Sequence, residues 1–160
     1  MHIPSLGPRG EGWVAGQLVL LVAIGAAGTE RLLHPTEPDA VRLVAAALGT
    51  SAIVAGAFIG LRGILDLGSS LTPFPRPADA NVLVGTGIYR FVRHPIYSGL
   101  ALASIGWGIA TLAPAAIALS VVLFAWFDLK ARQEEAWLVE RHASYRAYRA
   151  QTRKFIPFLY

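Results

Sequence analysis

The stretch Asn81 to Gly99, NVLVGTGIYRFVRHPIYSG, sets two arginines, a histidine and two tyrosines directly against an apolar segment. Polar side chains at the mouth of a hydrophobic block are costly to desolvate, and so they mark a site more often than filler. Pro95 suits the first turn of a helix, where its missing N–H has no intrahelical partner to lose. Arg93 and His94 then stand at a helix start, whose free backbone N–H groups favour anions. The competing reading makes Arg93 and His94 interfacial anchors and Tyr97 part of an aromatic belt. Gly85-Thr86-Gly87 reads either as a turn or as backbone laid flat against a planar ligand. In the second case Asn81, Val82, Leu83 and Val84 offer main-chain groups and Tyr89 an aromatic face.

A second cluster lies further on. At helical spacing Ala131, Glu135, Leu138, His142 and Tyr145 share one face, so Glu135 interrupts a mostly apolar or aromatic stripe. Glu134 stands beside it, one turn beyond Lys130. Lys130 and Glu134 can simply pair across a surface turn, worth a few tenths of a kcal/mol. Alternatively, adjacent carboxylates just past a membrane span suit a cationic ligand such as an ammonium.

The elements that must position these residues are apolar and long. Residues 12–29 and 43–61 are free of charge, and 33 residues from Pro95 to Phe127 carry none either. About 20 apolar residues span a bilayer. For the first block a cleaved signal peptide competes with a retained helix, and the retained helix is preferred because more spans follow directly. As one helix the third block would run to about 50 Å, well past the roughly 30 Å hydrocarbon core. Pro114 predicts a break, giving a tight hairpin of 95–111 and 114–127. Three prolines, Pro73, Pro75 and Pro77, predict an extended connection before it. After Asp128 the charged composition predicts an amphipathic helix to about Ala150. The expected fold is therefore an all-α integral membrane protein with four transmembrane helices plus a cytoplasmic amphipathic helix, forming a single domain over 1–160.

Composition agrees with that reading. The chain is 54% hydrophobic and 15% charged, where a soluble domain carries about a quarter charged residues. It has no cysteine, and its four histidines lack metal-ligand spacing, so no metal is expected. The net charge of +4 sits beside the apolar blocks, facing head groups, and no nucleic-acid motif accompanies it. With four spans, 12 of the 14 Lys/Arg residues fall on the side that also holds both termini and the candidate site. The positive-inside rule makes that side cytoplasmic.

Leu83-Val84-Gly85-Thr86-Gly87-Ile88-Tyr89, then RHPIYSG at 93–99, Glu134-Glu135, Tyr145, Tyr148 and Ile156-Pro157 together resemble the isoprenylcysteine carboxyl methyltransferase family, relatives of the phospholipid methyltransferases. The likeness covers about residues 80–160. It implies S-adenosylmethionine as methyl donor and a lipophilic acceptor drawn from the membrane. By position, Arg93, His94, Pro95, Ile96 and Tyr97 should lie along the cofactor, with Asn81 to Val84, Gly85, Gly87 and Tyr89 on its other side. Glu134 should meet its amino group, with Glu135 beside it. The family's acceptor-binding arginine corresponds to Lys130, with Arg132 nearby, and either can hold an anionic acceptor. His142-Ala143 replaces the aromatic-Gly usual before the first tyrosine. Two other readings compete: an NADPH-dependent membrane sterol reductase, which shares the RHPxYxG-like turn, and a non-catalytic membrane scaffold.

Overall fold

The protein is described here from a computed structural model covering residues 4–72, 74, 76 and 83–160. The proline-rich connection predicted at Pro73, Pro75 and Pro77 lies outside the described residues, as do Asn81 and Val82.

Four helices form the bundle: α1 (Glu11–Leu33), α2 (Asp39–Leu67), α3 (Pro95–Ala110) and α4 (Pro114–Arg141). A short α5 (Tyr145–Gln151) follows, and no regular strand occurs among the described residues. Three of these helices are long and apolar enough to cross a membrane, with α2 continued by a 3-10 turn to Ser70. The fourth, α3, has 16 residues, about 24 Å of helix, and is uncharged and mostly apolar. Val19, Val22, Leu43, Phe58 and Val121 are each more than half exposed, as outward faces of membrane helices must be.

Helix starts follow local chemistry. Glu11 in the first turn of α1 accepts the Arg9 backbone N–H at 3.0 Å. Both α3 and α4 open on proline, and the break expected at Pro114 is present as the turn Thr111–Ala113. Leu112 takes a left-handed φ of 52° there, and its carbonyl accepts from Arg31 Nε of α1 at 3.3 Å. The hairpin turn and the α1 end thus share one pole of the bundle. At the opposite pole, Arg76 N donates to Arg9 O at 3.3 Å, joining the loop after α2 to the start of α1.

The closest helix pair is α2 with α3. A Cβ on Gly99 would collide with the Gly56 carbonyl and the Gly60 backbone, so only hydrogen fits between these helices. Small residues permit this approach where lipid supplies no hydrophobic drive for association. Core side chains Ile24, Leu123, Phe127 and Phe155 fill the space between α1, α4 and the segment after α5.

One boundary differs from the sequence reading. The charged segment after Asp128 does not begin a separate helix: α4 runs unbroken to Arg141, and the chain bends only at residues 142–144 before α5. Nothing between Phe127 and Arg141 breaks a helix, since the stretch holds neither proline nor glycine. The same rigid rod therefore carries the apolar span and the Glu134-Glu135 pair.

Candidate active site

His94 caps α3 with extended-side dihedrals (φ −128°, ψ 59°), and Pro95 follows at the first helical position. The strand-like run before it is zipped to residues 152–155. Arg93 N donates to Arg153 O at 2.8 Å and His94 N to Lys154 O at 3.1 Å. This fixes the His94 ring at the pole where α4 rises past it. The ring lies parallel to Tyr97, centroids 5.4 Å apart, and Tyr97 in turn stacks on Phe127 at 4.9 Å.

The two carboxylates diverge because consecutive helical residues point about 100° apart. Glu135 is buried and faces a basic cluster: Arg93 Nε donates to its Oε1 at 2.8 Å, His94 Nε2 lies 3.2 Å from the same oxygen, and Arg149 pairs with Oε2 at 3.3 Å. Glu134 instead faces an open space, and its Oε2 accepts from Tyr97 Oη at 2.8 Å. His94 Nδ1 stands 3.9 Å from that oxygen. The imidazole thus stands between the two carboxylates.

The open space is a cavity of about 290 Å³ at the rim of the bundle. Ile64 and Leu67 of α2 form one wall, Leu83 and Val84 another, and His94, Ile96 and Tyr97 a third. Lys130, Glu134 and Leu138 of α4 face them, and His142, Tyr145 and Tyr148 close the outer side. Lys130 is 3% exposed: its Nζ donates to Gln17 Oε1 of α1 at 2.6 Å and sits 4.8 Å above the Tyr97 ring. Two buried polar atoms in the wall, His142 Nε2 and Tyr145 Oη, have no hydrogen-bond partner among the described residues. Buried polar groups are nearly always paired, and Trp107 Nε1, away from this cavity, is the third such atom among the described residues.

Burial holds the phenols neutral. Desolvation, reinforced by the Glu134 charge, raises Tyr89 well above the usual phenol range, and Tyr145 rises for the same first cause. Tyr148 is pushed up to about 12, mainly by burial. All three are therefore O–H donors at physiological pH. Tyr89 donates to Gly63 O at 3.2 Å and Tyr148 to Tyr89 O at 2.7 Å, tying α2, the loop and α5 together.

Other sequence-predicted residues stand apart from the cavity. Gly85 and Gly87 are exposed, and Gly87 has a φ of 60° with Asp66 packed where a Cβ would stand. Asp66 Oδ2 accepts the Ile88 N–H at 2.7 Å, so Gly87 serves a turn locked onto α2, while a Cβ on Gly85 would meet Tyr148. Pro95 is buried in the helix start. Arg132 points away from the cavity, paired with Asp128 at 2.7 Å. Glu135 supports the wall from behind. Sequence reasoning missed Gln17, whose signal was a lone amide inside a charge-free block; polar residues within membrane segments are functional candidates by default.

Fold and site together define an all-helical integral membrane protein with a polar cavity at one rim. The phospholipid methyltransferase family model matches residues 44–144, and the chain belongs to that family. Protein-S-isoprenylcysteine O-methyltransferase B of Arabidopsis thaliana is 30% identical over 115 residues, covering 69% of this chain and 58% of the relative. The Saccharomyces cerevisiae protein-S-isoprenylcysteine O-methyltransferase is 36% identical over 81 residues, 49% of this chain and 34% of the relative. The chain thus spans little more than half, or a third, of these curated relatives. The solved structure of the eukaryotic intramembrane Ras methyltransferase, an isoprenylcysteine carboxyl methyltransferase, superposes with a TM-score of 0.74 at 24% identity, covering 89% of this chain and 52% of that one. That likeness concerns the fold.

Proposed function

We propose that this protein is an S-adenosylmethionine-dependent methyltransferase acting on a lipophilic acceptor that presents a carboxylate. The observation that carries the reading is the cavity where Glu134, unpaired His142 Nε2 and unpaired Tyr145 Oη converge. The residues present fit the donor: at about 290 Å³ the cavity lies just under the roughly 300–1,000 Å³ of small-molecule sites, and its one carboxylate, Glu134, suits an ammonium. Bound there, S-adenosylmethionine supplies an activated methyl group on a sulfonium centre.

The chain's own residues bind and orient. Glu134, held by the Tyr97 hydroxyl, takes the amino group of the donor. Leu83 and Val84 offer main-chain groups and an apolar floor for its planar part, and Tyr145 and His142 donate or accept at its remaining polar atoms. Lys130, desolvated between Gln17 and the Tyr97 face, holds the acceptor carboxylate by charge. Such an acceptor is ionised near neutral pH, so the reaction needs no general base; positioning for in-line displacement is the main task. Arg132, paired outside the cavity, has no part in this scheme. The arginine- and lysine-rich pole faces the cytoplasm under the positive-inside rule. An acceptor with an apolar chain reaches the cavity along the outer helix faces.

Titration of the purified protein with S-adenosylhomocysteine and, separately, NADPH tests the donor. Saturable binding of the first and none of the second is expected; the reverse sinks the reading in favour of a reductase. Feeding labelled methionine to cells with and without the protein, followed by mass spectrometry of membrane extracts, identifies the acceptor. No protein-dependent label in any lipophilic acid would refute the acceptor class.

A further inference from the structure

Behind the Glu135 cluster lies a second, more open cavity of about 420 Å³, between α4, α5 and residues 152–160. Five cationic side chains line it: Arg93, Arg132, Arg149, Arg153 and Lys154. Against them stand two carboxylates: Glu135 in the wall and Asp128, which pairs with Arg132 and Lys154. The cavity therefore keeps a net positive charge that its own ion pairs do not cancel. Two of the cations, Arg93 and Lys154, have side chains only 9% exposed, so the charge is set into the floor as well as the rim.

Its lip is apolar. Phe158 and Leu159 are 86% and 77% exposed beside it, and Phe158 is held in a left-handed φ of 66°. The return of the chain is closed by Phe155 N and Ile156 N, both donating to Tyr160 O at 2.7 Å. Phe155 beneath them packs against Phe124 of the apolar span, with ring centroids 5.3 Å apart. That contact sets the lip at the level where α4 passes from lipid-facing Val121 and Val122 to Asp128. Cations at this level with exposed apolar side chains alongside meet head groups and acyl chains at once.

We propose that this second cavity is a binding site for the anionic phosphate head group of an acidic phospholipid, with Phe158 and Leu159 inserted beside its chains. The bound phosphate contacts Arg132, Arg149 and Arg153, whose planar forks suit phosphate oxygens. The site is distinct from the cavity assigned to methyl transfer, and Arg93 stands in the partition between them.

Native mass spectrometry of the purified protein, titrated with phosphatidylglycerol or phosphatidylcholine, tests this directly. Phosphatidylglycerol should bind preferentially with one-to-one stoichiometry. Arg132→Gln/Arg153→Gln should weaken it about 25-fold, taking about fivefold per arginine near an acidic surface, with phosphatidylcholine binding unchanged. Equal affinity for the two lipids, or full retention in the double variant, would overturn the proposal. Soluble glycerol 3-phosphate should not compete at millimolar concentration; if it displaces the lipid, the site is one for free phosphates and the lipid assignment fails. Should the variant not fold, the wild type alone decides: its phosphatidylglycerol affinity must fall steeply between 50 and 500 mM salt in this assay's buffer series (on the order of tenfold for a site holding several cations), and salt-independent binding would refute it.

Discussion

Glu134 and Glu135 are neighbours in sequence with opposite surroundings, and exchanging each for glutamine should separate binding from stability. Glu134 faces the cavity, one oxygen held by Tyr97 at 2.8 Å. Glutamine keeps the length and the hydrogen bond but removes the charge offered to a cationic ligand. A hydrogen bond to a charged group contributes about 1.5–3 kcal/mol, so Glu134→Gln should weaken S-adenosylhomocysteine roughly 10- to 150-fold. The melting temperature without ligand should change little, since no guanidinium depends on this carboxylate among the described contacts.

Glu135 is 3% exposed and serves Arg93, Arg149 and His94 at 2.8, 3.3 and 3.2 Å. Neutralising it leaves buried Arg93 without its counter-charge, and breaking a buried pair from one side costs about 3–5 kcal/mol. For a chain of this size each kcal/mol moves the midpoint by about 2–4 °C, so Glu135→Gln should melt on the order of 10 °C lower. The assays are isothermal titration with S-adenosylhomocysteine and a thermal melt in detergent, run on both variants. If Glu134→Gln binds within about twofold of the parent, or melts as low as Glu135→Gln, the assignment of the two roles is wrong.

Three further outcomes are expected. Tyr145→Phe removes a hydroxyl that has no partner among the described residues, so the melt without ligand should hold or rise slightly while S-adenosylhomocysteine affinity falls several-fold; a lower melt with unchanged affinity would count against the cavity's occupant. Lys130→Met keeps the packing on Tyr97 and should lower turnover on a lipophilic carboxylate at least tenfold, raising KM, with S-adenosylhomocysteine affinity within about threefold of the parent. Gly99→Val places a side chain against the Gly56 carbonyl and should destabilise the bundle by about 1–3 kcal/mol, read as a lower melt; an unchanged melt would mean the α2–α3 contact is looser than described.

Much of this architecture was legible because membrane helices are written in long charge-free blocks, and Pro114 punctuates the third block where a hairpin had to turn. His94, Tyr97 and Glu134 were also legible, since polar groups beside apolar blocks stand out. The partition of the two glutamates was not. Composition gives two adjacent carboxylates; which one meets Arg93 and Arg149 depends on residues 149–154 folding back onto the start of α3, a contact between positions more than 50 apart. Gly85 and Gly87 read two ways in sequence, since a ligand-approach glycine and a turn glycine look alike; only the fold shows Asp66 of α2 packed against Gly87. Gln17 was passed over because hydropathy averages a single amide away.

The continuity of α4 accounts for how the bundle holds the cavity's side chains in place. About 42 Å of uninterrupted helix joins Phe127, packed in the core, to Lys130, Glu134 and Glu135 within a little over two turns. Side chains on one rod cannot shift independently of one another, so anchoring its lower half in the bundle fixes the positions of the upper half. The cavity's other walls come from α2, the first turn of α3, the loop before it and the short α5; the Arg93–Glu135 ion pair ties the start of α3 to the rod, and the Tyr148–Tyr89 hydrogen bond ties α5 to the loop. A separate amphipathic helix after Asp128, as the charged composition suggested, would leave the carboxylates on a segment free to rotate against the span. Glu134 would then need further partners to stay aimed at the cavity, beyond the Tyr97 hydroxyl at 2.8 Å and the His94 ring at 3.9 Å.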